Sequence, residues 1–146
     1  MIDILYSNSD AIRSAIGIDE DDVSDEMLSK AFLEDQMLDR LEKVLANHAD
    51  IAFSSESIER KLRLWCQFFG GLQIIELGLL SIASKMQANT DQMSRFNIDW
   101  EAMKASLNGK LTQLELDLKA TQKTLLPISV NIFGKASPGY DPVTGV

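Results

Sequence analysis

Four consecutive carboxylates, Asp19-Glu20-Asp21-Asp22, are the densest run of potential metal ligands in the chain. Acidic side chains on a short loop can hold calcium. An EF-hand loop also needs a central glycine and a glutamate at its twelfth position, and this stretch has neither. The run therefore reads as a solvated acidic linker ahead of a helix. His48 is the only histidine and Cys66 the only cysteine, far apart in sequence. A histidine-rich metal site or a Cys–His nucleophile pair has little to build on. His48 reads as a surface residue near a helix C-terminus, where it suits the dipole. Cys66 reads as a buried structural thiol, with no intrachain disulfide possible, which suits a reducing compartment. Gly70-Gly71 lies inside a helical pattern rather than after a strand, so it is not a phosphate loop, and no Gly-x-Ser-x-Gly elbow is present. The aromatics (Phe 6, Trp 2, Tyr 2) fall mostly on apolar stripes, which argues against base-stacking platforms. The expectation is a non-enzyme: no catalytic residues, no metal and no cofactor.

The element that organises the rest is the apolar-rich run Ile58 to Met86, which reads as one helix of ~45 Å. Ile58, Leu62, Trp65, Phe69, Leu72, Leu79, Ala83 and Met86 make one stripe at alternating steps of four and three. Leu64, Phe68, Ile75 and Ile82 make a second beside it. Arg63, Gln67, Gln73 and Glu76 interrupt the run before 18 clean apolar residues, so no membrane span is expected. The start, Met1-Ile2-Asp3, lacks the basic region of a signal peptide. A helix apolar on so many sides needs several neighbours. Leu64, Phe68, Gly71, Ile75 and Gly78 are the candidates for a subunit interface, with Gly71 and Gly78 allowing close approach of another backbone. Glu76, inside the first stripe, is expected either to pair with Lys104 or Lys110 or to fix register.

Three further helices are expected. The first spans Ser7 to Ile16, capped by Ser7 or Ser9 and stopped by Gly17. The second runs from Ser24, its cap, to about Ala46, with Met27, Ala31, Leu38, Leu41 and Leu45 as its stripe and Leu28, Phe32 and Val44 widening it. Its other side carries Glu34, Asp35, Asp39 and Glu42, and Asp39–Lys43 is a helix-spaced ion pair. Asn47 to Ser55 is a connection, and Ser54 or Ser55 caps the long helix. The last helix starts at Asn97 or Asp99 and runs to about Leu125 with one narrow stripe (Trp100, Met103, Leu107, Leu111, Leu114, Leu118, Leu125). Glu115–Lys119 is its favourable ion pair, and Gly109 is a weak point on its exposed side. The fold class is all-α: a small four-helix bundle-like protomer over 1–126 with a long central helix, followed by an extended arm over 127–146. In the arm, Ile128, Val130 and Ile132 alternate with Ser129 and Asn131, the two-residue period of a strand. With no sheet of its own, such a strand is suited to pairing with an edge on another chain.

The 146 residues suffice for one domain with a real core. Net charge is −8 and unevenly placed: residues 1–50 hold 13 Asp/Glu against 4 Lys/Arg, a net of −9, and the remainder is close to neutral. An acidic first third argues against wrapping nucleic acid, and it suits a surface that phosphates slide past.

The stretch Ala11-Ile12-Arg13-Ser14-Ala15-Ile16-Gly17-Ile18 is followed by the acidic linker and by Ser24-Asp25-Glu26-Met27-Leu28. Two longer helices come next, then Ser137-Pro138-Gly139-Tyr140-Asp141-Pro142 in the tail. In this organisation the chain resembles the head–tail adaptor (connector, or head completion) proteins of tailed bacteriophages. The resemblance implies a virion protein of the neck, present in the host cytoplasm during assembly. It implies a ring, typically of twelve copies, docked beneath the portal protein, with a tail or neck protein below. DNA passes through such a ring without specific binding, and no catalytic residues are transferred. The arm's role in binding the portal or a neighbouring subunit falls here on Pro127, Ile128, Val130, Ile132, Phe133, Tyr140, Asp141 and Pro142. Glu34, Asp35, Asp39 and Glu42 are the candidates for facing the channel. The alternative is a helical scaffolding or regulatory module that binds a partner through the same arm.

Overall fold

The computed structural model describes residues 1–31, 33–78 and 99–125. The expected arm and the end of the long run, 79–86 with Ile82, lie outside them. The described residues are mostly helical with little strand. A minimal antiparallel hairpin comes first, β1 (Asp3–Ile4) and β2 (Ser7–Asn8), with Asp3 opposite Asn8 and Ile4 opposite Ser7. Leu5 takes the left-handed conformation (φ 53) that lets the chain reverse. Six helices follow among the described residues: α1 (Ser9–Ser14), α2 (Asp25–Lys30), α3 (Leu33–Val44), α4 (His48–Ile51), α5 (Glu56–Glu76) and α6 (Trp100–Leu125).

Several boundaries depart from the sequence expectation, each for a local reason. Ser7 belongs to the hairpin, and neither Ser7 nor Ser9 caps α1. The Asn8 side chain does so, accepting from the Ala11 N–H at 2.9 Å, while the Ser9 hydroxyl accepts from the Ile2 N–H. Gly17, at φ 75, ends the turn after α1 as expected. Ser24 caps α2 through the Met27 N–H. The single helix expected from Ser24 to Ala46 is instead broken near Ala31. Leu28, Leu33, Met37, Leu41 and Val44 all reach the core, and the five-residue step from Leu28 to Leu33 does not fit one continuous helix. The buried stripe is thus rotated from the one expected, with Met37 in it and Met27, Ala31 and Leu38 only half-buried.

The long helix is also shorter than its apolar run suggests. Ser55 caps α5. The helix then ends at Glu76, after ~32 Å, with Leu77 as C-cap and Gly78 in the left-handed conformation at φ 66. Its first stripe is the centre of the core: Ile58, Leu62, Trp65, Phe69 and Leu72 are all buried, with Cys66 and Ile74. α6 is capped by the Asp99 carboxylate on the Ala102 N–H. It lies antiparallel along α5, burying Leu107, Leu111 and Leu118, with Trp100, Met103 and Leu114 partly covered.

The glycine pair in α5 marks where α1 crosses. A Cβ on Gly70 would sit 2.7 Å from Ile12 Cγ2 and 2.8 Å from Met37 Cε, and one on Gly71 would sit 2.8 Å from Ile16 Cγ2. Alanine has no room at either site without movement, so the helix accepts two poor helix formers, at ~1 kcal/mol each, to let α1 approach.

Candidate interaction surfaces

The four candidate channel residues, Glu34, Asp35, Asp39 and Glu42, are all exposed on α3. At 100° per residue they fall within about 140° of the helix circumference, a single face. Lys43 pairs with Asp39 at 2.6 Å, as the spacing predicts, and both side chains remain mostly in solvent. The opposite side of α3 is buried, so the acidic face is held outward by the core it backs onto.

The five interface candidates on α5 separate into two kinds. Leu64 is 36% exposed, and Phe68 and Ile75 are partly buried against the core. Lys110 Nζ stands 5.0 Å from the Phe68 ring centroid, a cation–π contact. Gly71 is already occupied by α1 of the same chain, so no second backbone can approach there. Gly78 has open space around its Cα and serves as the helix stop. Glu76 is exposed and accepts from the Gln73 side chain at 3.1 Å, not from Lys104 or Lys110. Lys104 pairs with Glu101. The arm candidates, Pro127, Ile128, Val130, Ile132, Phe133, Tyr140, Asp141 and Pro142, lie outside the described residues.

The acidic linker closes on itself. Asp19 Oδ1 accepts from the N–H groups of Asp21 and Asp22, and Asp22 accepts from the Asp19 N–H. These carboxylates shape a loop, a common use of Asp in turns. Among the described residues no group of three His, Cys, Asp or Glu is placed to hold a metal ion.

Three polar clusters escaped the sequence reading. The first is Arg13, whose side chain is 1% exposed. It donates through Nε to the Val23 carbonyl at 2.7 Å and pairs with Asp10 at 2.7 Å and with Asp25. The Met1 amine also lies 2.7 Å from Asp25. This amine, the Ser9 hydroxyl and Arg13 together hold the Asp25 carboxyl far below the usual range. An arginine between Ile12 and Ala15 on a short apolar helix was the available signal. The second cluster is His48, which is buried rather than on the surface and hydrogen-bonds the Tyr6 hydroxyl at 2.7 Å through Nδ1. The two rings meet edge to face, pinning the hairpin tip to α4. The third is Glu115, expected to pair with Lys119. Its Oε1 instead accepts from Arg40 Nε on α3 at 2.9 Å and from Trp65 Nε1 on α5 at 3.1 Å. Arg40 also stands over the Phe69 ring, which stacks on Trp65.

Among the described residues, two clefts bear on these surfaces. One, of about 340 Å³, separates the hairpin (Ile2, Asp3, Ile4) from Leu28, Ser29 and Leu33. The other, of about 580 Å³, is shallow and runs between α3 and α5 over Phe69, with Arg40, Lys43 and Gln73 at its rim. No helix of the described residues is long and apolar enough to cross a membrane. None of the protein-family models, curated proteins or solved structures compared with this chain matches it.

Proposed function

We propose that the chain is a structural head–tail adaptor of a tailed phage, a subunit of a ring docked beneath the portal that extends the DNA channel of the neck. The observation that carries this reading is the exposed acidic face of α3. A row of carboxylates held in solvent by a rigid helix repels DNA phosphates and lets a genome pass without sticking. The order of elements supports it too: the short helix α1, the acidic linker, the segment α2 to α4 and the two long helices α5 and α6 resemble the organisation of such adaptors. On this reading the helical body is a four-helix bundle-like protomer. The segment 127–146 is its arm to the portal or a neighbouring subunit, and a tail or neck protein docks below. Leu64 and Phe68, not fully covered within the chain, are then available to an adjacent subunit.

The test is to mix the chain with a portal oligomer from the genome that encodes it and to examine the product by electron microscopy. A stoichiometric ring on the portal's tail-side face is expected. Failure to form any complex at micromolar concentrations removes the adaptor reading. Binding to a different protein through the arm favours the scaffolding or regulatory module.

A further inference from the structure

Among the described residues the hairpin has one covered edge and one open edge. β2 lies against α1 and α5. The register decides where the β1 backbone points. The Ser9 N–H donates to the Ile2 carbonyl at 2.9 Å, and Asp3 stands opposite Asn8. Along an antiparallel ladder, pairs that exchange backbone hydrogen bonds alternate with pairs that do not. Ile2 and Ile4 therefore bond inward to β2, and the N–H and C=O of the exposed Asp3 point away from it. The same three residues wall the cleft of about 340 Å³, faced across it by Leu28, Ser29 and Leu33.

We propose that this open edge accepts residues 128–132 of a second copy as an added strand. Three observations select that occupant. Ile128, Val130 and Ile132 put β-branched side chains on one face at the strand period, as strand addition requires. The segment 127–134 carries no charge, and Lys135 follows it, opposite in sign to Asp3, Glu34 and Asp35 around the cleft. The tether is short: α6 ends at Leu125, and the three steps to Ile128 span at most about 11 Å. α6 meets α5 at Trp65 and Phe68, whereas the hairpin meets it on another side, at Cys66. From Glu115, which stands at Trp65, α6 runs ten more residues to Leu125, about 15 Å along α5 away from Cys66, so the short tether favours a neighbour's arm over the chain's own. The proposal rests on the adaptor reading in taking a second copy as occupant, since strand exchange between successive subunits is a head-to-tail contact able to close a ring.

Two full-length variants, Ser29→Cys and Val130→Cys, test it when mixed and oxidised. Cys66 is buried and stays out of the reaction. An interchain disulfide between the two variants is expected. Asp3→Pro removes the outward N–H at an edge position that tolerates proline, and it should lower the yield about fivefold, the equivalent of one hydrogen bond. Circular dichroism checks that its fold is kept. Val130→Asp, read by light scattering, should independently shift the protein towards monomer. No disulfide in the mixture, or one that forms only within a single chain when both substitutions are placed in the same chain, overturns the proposal. A portal complex without the cross-link leaves the adaptor reading standing. The cross-link without portal binding removes that reading and keeps the strand exchange.

Discussion

Arg40 on α3 and Glu115 on α6 stand 75 positions apart in sequence and 2.9 Å apart in space. Their contact closes a triangle with Trp65 of α5, because the same Glu115 oxygen accepts from the indole N–H. One carboxylate oxygen thus joins the three longest helices of the described residues. Glu115 is mostly covered, while Arg40 is 38% exposed, so solvent screens part of the ion pair. The larger cost of losing Glu115 falls on the Trp65 N–H, since Trp65 is fully buried. Glu115→Ala should destabilise by about 1–3 kcal/mol in urea unfolding. Glu115→Gln keeps an acceptor and should cost less. Lys119→Ala should cost nearly nothing, although helix spacing alone makes Lys119 the expected partner. An equal loss for Lys119→Ala and Glu115→Ala would contradict the triangle.

The glycines of the two long helices should answer alanine substitution with opposite signs. Gly70→Ala drives a methyl into Ile12, a β-branched neighbour that is stiff about χ1, and a loss of about 1–3 kcal/mol is expected despite the better helix propensity. Gly109 has open space on the exposed side of α6, so Gly109→Ala should stabilise by up to about 1 kcal/mol. Thermal melts of the two variants on either side of the parent would establish the α1 crossing. A Gly70→Ala protein melting above the parent would remove it.

Those glycines also show how far the sequence could be read. The apolar period of Ile58, Leu62, Trp65, Phe69 and Leu72 is a local signal, and it placed the core correctly. The same period carried the expected helix on to Met86, because hydrophobic spacing says nothing about the backbone conformation that Gly78 adopts. Gly71 was legible as a site of close approach, but not which element approaches. That depends on α1 folding back, a contact between distant parts of the chain. The acidic face of α3 was legible because charge on one side of a helix needs no partner to stay exposed. Arg13, His48 and Glu115 were misplaced or missed for the converse reason: each is a polar group whose position is set by residues remote in sequence. Local spacing offered only Asp10 for Arg13, which it does meet, and Lys119 for Glu115, which it does not.

Acid should weaken the fold through Asp25. Its carboxyl is held below the ordinary range by the Met1 amine, the Ser9 hydroxyl and Arg13. A carboxylate whose pKa is lowered by folding contributes stability that is fully present above the unfolded value, about 4. That stability is lost as pH falls from there towards the folded value. Stability of the parent should therefore hold steady at neutral pH as far as this group is concerned and drop below about pH 4. Asp25→Asn should be less stable at pH 7, with a shallower decline below pH 4. Parallel acid limbs in the two proteins would show that Asp25 is not the group responsible.

Cys66 should be chemically silent in the native protein. Burial pushes its thiol up to about 12, so almost no thiolate exists at pH 8, and the sulfur is out of reach of solvent. A thiol-reactive chromophore should label the folded protein only at the rate of unfolding and label it at once in denaturant. Rapid stoichiometric labelling without denaturant would place Cys66 at the surface.

The acidic face makes the most direct prediction about function. If Glu34, Asp35, Asp39 and Glu42 keep DNA from adhering, the parent protein should not retain duplex DNA in a gel-shift assay even at low salt. Replacing all four by Lys changes the local charge by about eight units on one exposed helix face, without touching the buried side of α3. The variant should fold as the parent does and should now retain DNA without sequence preference. That retention should disappear as salt rises from about 50 to about 200 mM, the behaviour of binding through phosphate contacts and counterion release. In a portal-bound ring Asp39→Lys with Glu42→Lys, the two changes clear of the hairpin cleft, should slow or block passage of DNA while leaving assembly intact, which separates a channel-lining role from a subunit contact. If they prevent ring formation and leave DNA binding unchanged, the acidic face belongs to an interface between subunits instead.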